Sequence, residues 1–418
     1  MTIGEKIKKI RCHLGLSQEN LAKDIGCGVA TISRIERGMA ECDENMLKAI
    51  KAAMGIKNAP FSDAEIAAYR ESLFVWLELM AHRRIDDAKD LGSELAVILN
   101  LPFERDLIML YHLYDAGLCI TIGDFDDAEN KMNSLDKAKM NGEHLFQYYR
   151  NLGTLCFRRE DYERALEYGL RAIDYSEYTR GNLAAAYYSI AADYSMLSQP
   201  VRAIMYLEEA RKRHKNTPLS ILSVFIEHVL CKSYLLLNES ERAKPILDAA
   251  LTKAEAIGVK LGRKKYIGMI LNLLGVYHMK RSEHKEALAY FNKAHEYFWV
   301  GGLDYFHNSY YKARCLLELK QAAQAKELAA DVLANATNSE RFTMLFDGLR
   351  KEMHFKENGS AENIENVIIP YLIGKSELFF ALDFCEHLEC RYKKAGNSKK
   401  ANEIAIIMRD IYAKIIFG

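Results

Sequence analysis

Proline is scarce, six in 418 residues, and glycine adds only 24. No stretch is rich in either, which excludes a low-complexity linker, and no run of like charge reaches the length of a disordered tail. Nine cysteines form no Cys-x-x-Cys pair and no Cys/His ladder. That pattern argues against a disulfide framework and for a reducing, intracellular setting. No apolar run approaches the ~20 residues of a membrane span, and Met1-Thr2-Ile3-Gly4-Glu5-Lys6 lacks the apolar segment of a secretion signal, so a cytoplasmic chain without membrane contact is expected. The 57 basic residues balance 57 acidic ones, which excludes a bulk polycation. There is no Gly-x-x-x-x-Gly-Lys phosphate loop, no His-Glu-x-x-His and no Gly-x-Ser-x-Gly. With the histidines scattered, no catalytic site, metal or cofactor is expected, and the chain reads as a non-enzyme.

What is present begins with an uneven charge distribution. Residues 1–57 carry ten Lys or Arg against seven Asp or Glu, a weakly basic head on a weakly acidic body. Ile3, Ile7, Ile10 and Leu14 alternate with Lys6, Lys8, Lys9 and Arg11, the pattern of an amphipathic helix with a basic outer face. Ser17 can cap a second helix whose Leu21, Ala22 and Ile25 share a face, and Gly26 and Gly28 permit a tight turn. In the helix that follows, Val29, Ile32 and Ile35 recur every three residues, leaving Ala30, Thr31, Ser33, Arg34 and Arg37 on the other surface, with Gly38 as a stop. Gly15 to Gln18, Leu21-Ala22, Gly26, Ile32-Ser33, Ile35-Glu36 and Gly38 resemble the XRE or lambda-repressor-like helix-turn-helix domains. That resemblance implies a structural pair between Arg11 and Glu36. It also implies contact with a double-stranded DNA operator by Gln18, Gly28, Val29, Ala30, Thr31, Arg34, Arg37 and Lys6. Of these, Ala30, Thr31 and Arg34 are expected nearest base edges, and Gln18, Lys6 and Arg37 nearest phosphates. A capped helix from Asp43 closes the head near Lys57. Residues 58–61 read as a short hinge before the capping box Ser62-x-x-Glu65.

From residue 62 to 418 the recurring feature is an alanine followed by apolar residues four and seven positions on. It occurs at Ala88, Ala128, Ala165, Ala203, Ala243, Ala287, Ala325 and Ala401, at intervals of 40, 37, 38, 40, 44, 38 and 76. The last interval is twice 38, so a degenerate ninth copy is expected near Asn363. Leu274-Gly275, Ala287, Phe291 and Ala294 are similar to the tetratricopeptide repeat, with a period about four residues above the usual 34. The fold expected is all-α: a lambda-repressor-like head followed by a tetratricopeptide-like right-handed helical solenoid of about nine hairpins.

A head of this kind joined to such a body resembles the peptide-pheromone receptors of the Rap-Rgg-NprR-PlcR-PrgX group. The resemblance implies a homodimeric transcriptional regulator whose repeats bind a short signalling peptide on their inner face. Two rivals stay open: a repeat body that binds or dephosphorylates a response regulator, and a scaffold for a partner protein without a peptide. The repeat geometry assigns inner-face positions around each Leu-Gly pair: Arg150, Thr154, Tyr188, His228, Lys232, Asn272, Met279, Tyr310 and Arg314. Asn272 offers a donor and an acceptor to a peptide backbone, and Arg150, Lys232 and Arg314 suit a ligand carboxylate. The alternative is that these cations are paired with neighbouring acids.

Overall fold

A computed structural model describes residues 1–179, 183–215, 220–261, 264–336, 339–354 and 360–417, and among these every regular element is helical. The chain divides into two units, Met1–Gly181 and Asn182–Gly418.

The first unit opens with the head helices α1 (Ile3–His13), α2 (Gln18–Ile25), α3 (Val29–Glu36) and α4 (Glu44–Ala53). Each start is set by local chemistry. The Thr2 hydroxyl accepts from the Glu5 amide at 3.2 Å while the Glu5 carboxylate accepts from the Thr2 amide at 2.8 Å, a full capping box. Ser17 and Asp43 cap α2 and α4 in the simpler way. Gly26 ends α2 at φ 75°, the left-handed conformation that a side chain would strain. Only α3 starts without a side-chain cap, because Gly28 has none to offer. The isoleucines Ile7, Ile10, Ile32 and Ile50 are fully buried together. One residue outside the isoleucine pattern matters as much. A Cβ on Gly4 would lie 2.0 Å from the Ile35 carbonyl oxygen, so α1 and α3 approach backbone to backbone.

Residues 58–61 are not a hinge, which corrects the expected domain boundary. Ala59 and Phe61 are buried in one core that continues from Ile7 and Ile32 through Trp76 to Leu113. The Phe61 and Ser62 amides donate to Glu65 at 2.8 and 2.9 Å, and Lys51 pairs with Glu65 at 3.0 Å. The turn-forming Asn58 and Pro60 suggested a break, but the apolar residues between and after them decide the outcome by packing.

Three hairpins complete the first unit: Asp63–Ala81 with Ile85–Leu95, Arg105–Ile122 with Phe125–Asn133, and Gly142–Arg158 with Tyr162–Ile173. The second unit pairs Leu183–Met196 with Pro200–Arg213, Ile221–Leu236 with Ser240–Leu261, Lys265–Lys280 with His284–His295, and Leu303–Glu318 with Ala322–Asn335. It ends with Glu340–Met353, a broken helix running from Ser360 through a π-turn at Ile364–Ile368 to Gly374, then Leu378–Lys394 and Ser398–Phe417.

The alanine marks the crossing of the two helices of a hairpin, where no larger side chain fits. Ala165, Ala203, Ala243 and Ala287 are fully buried, and a Cβ on Gly275 would fall 2.5 Å from the Phe291 ring. Five residues before each alanine lies a left-handed turn residue: Arg83, Gly123, Glu160, Ser198, Asn238, Ser282, Lys320 and Gly396. The amide after each closes a Schellman bond, as from Arg84 to the Leu79 carbonyl (2.9 Å) and from Gln199 to that of Tyr194 (2.8 Å). A ninth such turn is at Ser376, followed by the Schellman bond from Glu377 to Leu372 and, five residues on, by the buried Ala381. The expected copy near Asn363 is therefore at Ala381. The 76-residue interval divides into 56 and 20 because Leu378–Lys394 serves two consecutive turns.

Candidate functional site

The head presents one face of α3. Ile32, Ile35 and Glu36 are buried, Gly28, Val29, Ala30, Arg34 and Arg37 are exposed, and Thr31 is half-buried. Beneath that face the expected structural pair forms: Arg11 donates to Glu36 through Nε at 2.6 Å and Nη2 at 3.0 Å, and through Nη1 to the Leu16 carbonyl at 2.7 Å. Burial pushes the Glu36 carboxyl up, but the hydrogen bonds from Arg11 and Gln18 outweigh it and hold the group below its ordinary range.

Two residues expected at phosphates have other work. The Gln18 amide donates to Glu36 at 2.6 Å, so its side chain points into the head. Lys6 donates to the Phe61 carbonyl at 2.5 Å and lies 5.7 Å from the centroid of the Phe103 ring, tying α1 to the first hairpins. Arg37 folds back on Ser33, 2.6 Å from its hydroxyl. The accessible reading face is thus Gly28, Val29, Ala30, Thr31 and Arg34, with the exposed Lys8 and Lys9 of α1 as basic neighbours that the motif did not single out.

Of the inner-face positions, Arg150 and Thr154 belong to the first unit. Arg150 is half-buried, makes no ion pair among the described residues, and has its guanidinium pKa lowered by desolvation. Thr154 donates to the Arg150 carbonyl at 2.9 Å.

The second unit contains a groove lined by Ser195, Ser198, Lys232, Leu235, Val276, His307, Tyr311, Arg341, Glu377, Phe379 and Phe380. Lys232 is the expected residue that it contains. This ammonium has no ion-pair partner among the described residues, and burial, helped by the neighbouring Arg341, pushes its pKa down. His228, one turn earlier, is pushed down to about 3 by burial and then by Lys232, so its imidazole is neutral. His307 is lowered by burial and by Arg341, Lys232 and His228 in turn. Tyr188 stacks on Phe225 with ring centroids 5.9 Å apart. The Asn272 side-chain carbonyl accepts from Asn308 at 3.0 Å, which leaves its amide donors and not its acceptor for a ligand. Met279 borders a neighbouring cavity with Leu236 and Phe379.

Tyr310 and Arg314 are not ligand contacts. Arg314 is 2% exposed, paired with Glu352 and Asp383 at 2.5 Å each, and Tyr310 is fully buried with its hydroxyl on Asp383. Their helix is overlaid by Leu378–Lys394, which brings Asp383 to them and converts the expected inner face into interior. Pairing with acids therefore holds for Arg314 and fails for Lys232. The residues that sequence reasoning missed, Arg341, His307, Glu377 and Phe379, come from helices around the displaced ninth turn. Ala381 and the turn before it were the available signal.

Residues 7–57 match the helix-turn-helix family and residues 144–216 the tetratricopeptide-repeat family. Over 398 residues the chain is 20% identical to the transcriptional activator NprA of Geobacillus stearothermophilus, spanning 90% of this chain and 95% of that protein. Its fold is similar to that of a Rap protein complexed with competence and sporulation factor, with TM-score 0.72 and 16% identity over 84% of this chain and 98% of that one. It is similar also to NprR in complex with its cognate peptide NprX, with TM-score 0.63 and 18% identity over 82% and 99%. At these identities the structural likeness is one of fold: an all-α chain with a helix-turn-helix head and tetratricopeptide-like repeats, the architecture of the peptide-receptor group.

Proposed function

We propose that this chain, with its helix-turn-helix head and repeat body, is a non-enzymatic transcriptional regulator that reads operator DNA as a homodimer and answers to a short peptide held in the groove of its second unit. The observation that carries the peptide half is Lys232: a desolvated, unpaired cation beside aromatic walls is costly to keep unless a ligand completes it. NprR, similar in fold, was solved with a peptide, which supports the same reading. The DNA half is supported by the free face of α3. One such helix reads few base pairs, so two heads on a two-fold symmetric site are required for selectivity. A peptide touching several hairpins binds some arrangements of the repeats better than others, and only that difference can shift how the heads meet DNA.

Selection from a random duplex library by the full chain tests the reading. A two-fold symmetric sequence is expected. Arg34→Ala should lose roughly 1 to 3 kcal/mol on it and relax one position, whereas Lys8→Gln should weaken all duplexes evenly and flatten the salt dependence. Enrichment of the same sequence by an Arg34→Ala, Thr31→Ala double variant at unchanged affinity would sink the assignment of α3.

A further inference from the structure

Among the side chains lining the groove, the basic ones are Lys232, His307 and Arg341, and the sole acidic one is Glu377. Glu377 is bound to Arg341 Nη2 at 2.5 Å, each side chain about one-sixth exposed, so this is a partly desolvated pair inside the groove. The same Nη2 faces His307 Nε2 at 3.3 Å, while Arg341 Nε is buried with no hydrogen-bond partner. A guanidinium in its preferred fork gives a carboxylate two parallel hydrogen bonds. The arrangement leaves Arg341 half-used and Lys232 unused.

Glu377 stands on the ninth left-handed turn, directly after Ser376 at φ 58°. The Ser376 carbonyl accepts from the Ser198 hydroxyl at 2.6 Å, and Ser198 is itself the turn residue of the first hairpin of the same unit. The two turns hold Glu377 at the rim, between the groove and the exposed Gly374 and Lys375. Beneath it Phe379, Phe380, Tyr311 and Val276 supply an apolar wall.

We propose that Glu377 is a placeholder for a ligand carboxylate: the ligand is a peptide with a free C-terminal carboxylate and an apolar last residue, and its carboxylate takes Arg341 from Glu377 and is completed by Lys232. The inference rests on the peptide reading above and narrows it to one chemistry. The incoming anion also offsets the desolvation that keeps Lys232, His228 and His307 from holding protons, so binding takes up protons and strengthens as pH falls from 8 to 6. The other charged groups around the cluster are Arg341 and Glu377, already named.

The test uses the full chain and two libraries of synthetic heptapeptides, randomised in sequence, one ending in a free acid and one in an amide, with retained peptides read by mass spectrometry. Free-acid peptides with an apolar last residue should be retained and amides lost. For a retained peptide, Lys232→Met should weaken binding by roughly thirtyfold or more, and Glu377→Gln should tighten it by about tenfold, since the internal competitor is gone. A merely structural Glu377 would give the opposite sign. Lys232→Met should also raise the melting temperature, because it removes an uncompensated cation; a lower one would overturn the placeholder. Equal retention of acids and amides, or retention governed by internal Asp or Glu, would overturn the C-terminal assignment and leave peptide binding standing. Retention from neither library would remove the peptide reading itself.

Discussion

Removing Arg11 should unfold the head and not retune it. Its side chain is 10% exposed and that of Glu36 1%, and the guanidinium satisfies both carboxylate oxygens and the Leu16 carbonyl. In Arg11→Ala, Gln18 still reaches one Glu36 oxygen, but the other is left buried and charged without a donor. Breaking a buried pair from one side costs about 3 to 5 kcal/mol, against about 5 to 15 for a whole domain. The cost should fall on the first hairpins too, because the head shares their core.

The assay follows from the two tryptophans. Trp76 is fully buried in that core, and Trp299 is 73% exposed in the second unit, so a Trp299→Phe background makes Trp76 a reporter for the first unit alone. Arg11→Ala should lower the urea midpoint of Trp76 emission and weaken binding to every duplex alike. The pH dependence has a definite sign. Glu36 is held below its unfolded pKa of about 4.3, so its contribution is present above that value and is lost as pH falls through the folded one. The gap between the parent and Arg11→Ala should therefore narrow below about pH 5. A variant that keeps the Trp76 midpoint but changes base preference would refute the reasoning and make Arg11 a reading residue.

Gly4→Ala should weaken the head by about 1 to 3 kcal/mol, since the new methyl meets the Ile35 carbonyl oxygen, and the Trp76 midpoint reads the loss. At the turns, Gly123 has open space around it, so Gly123→Ala costs only left-handed strain; the net loss is about 0.5 to 1 kcal/mol after the alanine's gain from a less free unfolded chain. Lys320→Gly is the mirror case and should stabilise the second unit by a similar amount in urea unfolding; a loss there would contradict the strain argument. Glu65 bridges Ser62, Phe61 and Lys51 and is held at about 2, so Glu65→Gln should lower the Trp76 midpoint at pH 7 and have a shrinking effect toward pH 2.

The head was legible because its caps, glycines and isoleucine spacing all act within a few residues. Gly4 was not, because what it touches is 31 positions away and its own neighbours say nothing of it. The hairpins were legible where alanine and turn keep a fixed offset, and Lys232 was found inside that register. Arg314 was misplaced at its edge: the spacing that puts it on the correct helix face cannot reveal that Leu378–Lys394 covers that face. Glu377 and Arg341 lie where two turns are only 20 residues apart, a compression that reads as a missing repeat to any search for a constant period.

The continuous core from Ile7 to Leu113 bears on how this protein can be taken apart. A cut near residue 60 would strip Phe61 and Trp76 of their covering side chains and expose both pieces' interiors, so a protease should not release the head as a surviving fragment. A chimera that transplants its operator specificity should carry the first three hairpins along with it. Alternatively it should exchange only the five exposed positions of α3, leaving the isoleucines and Glu36 beneath them in place.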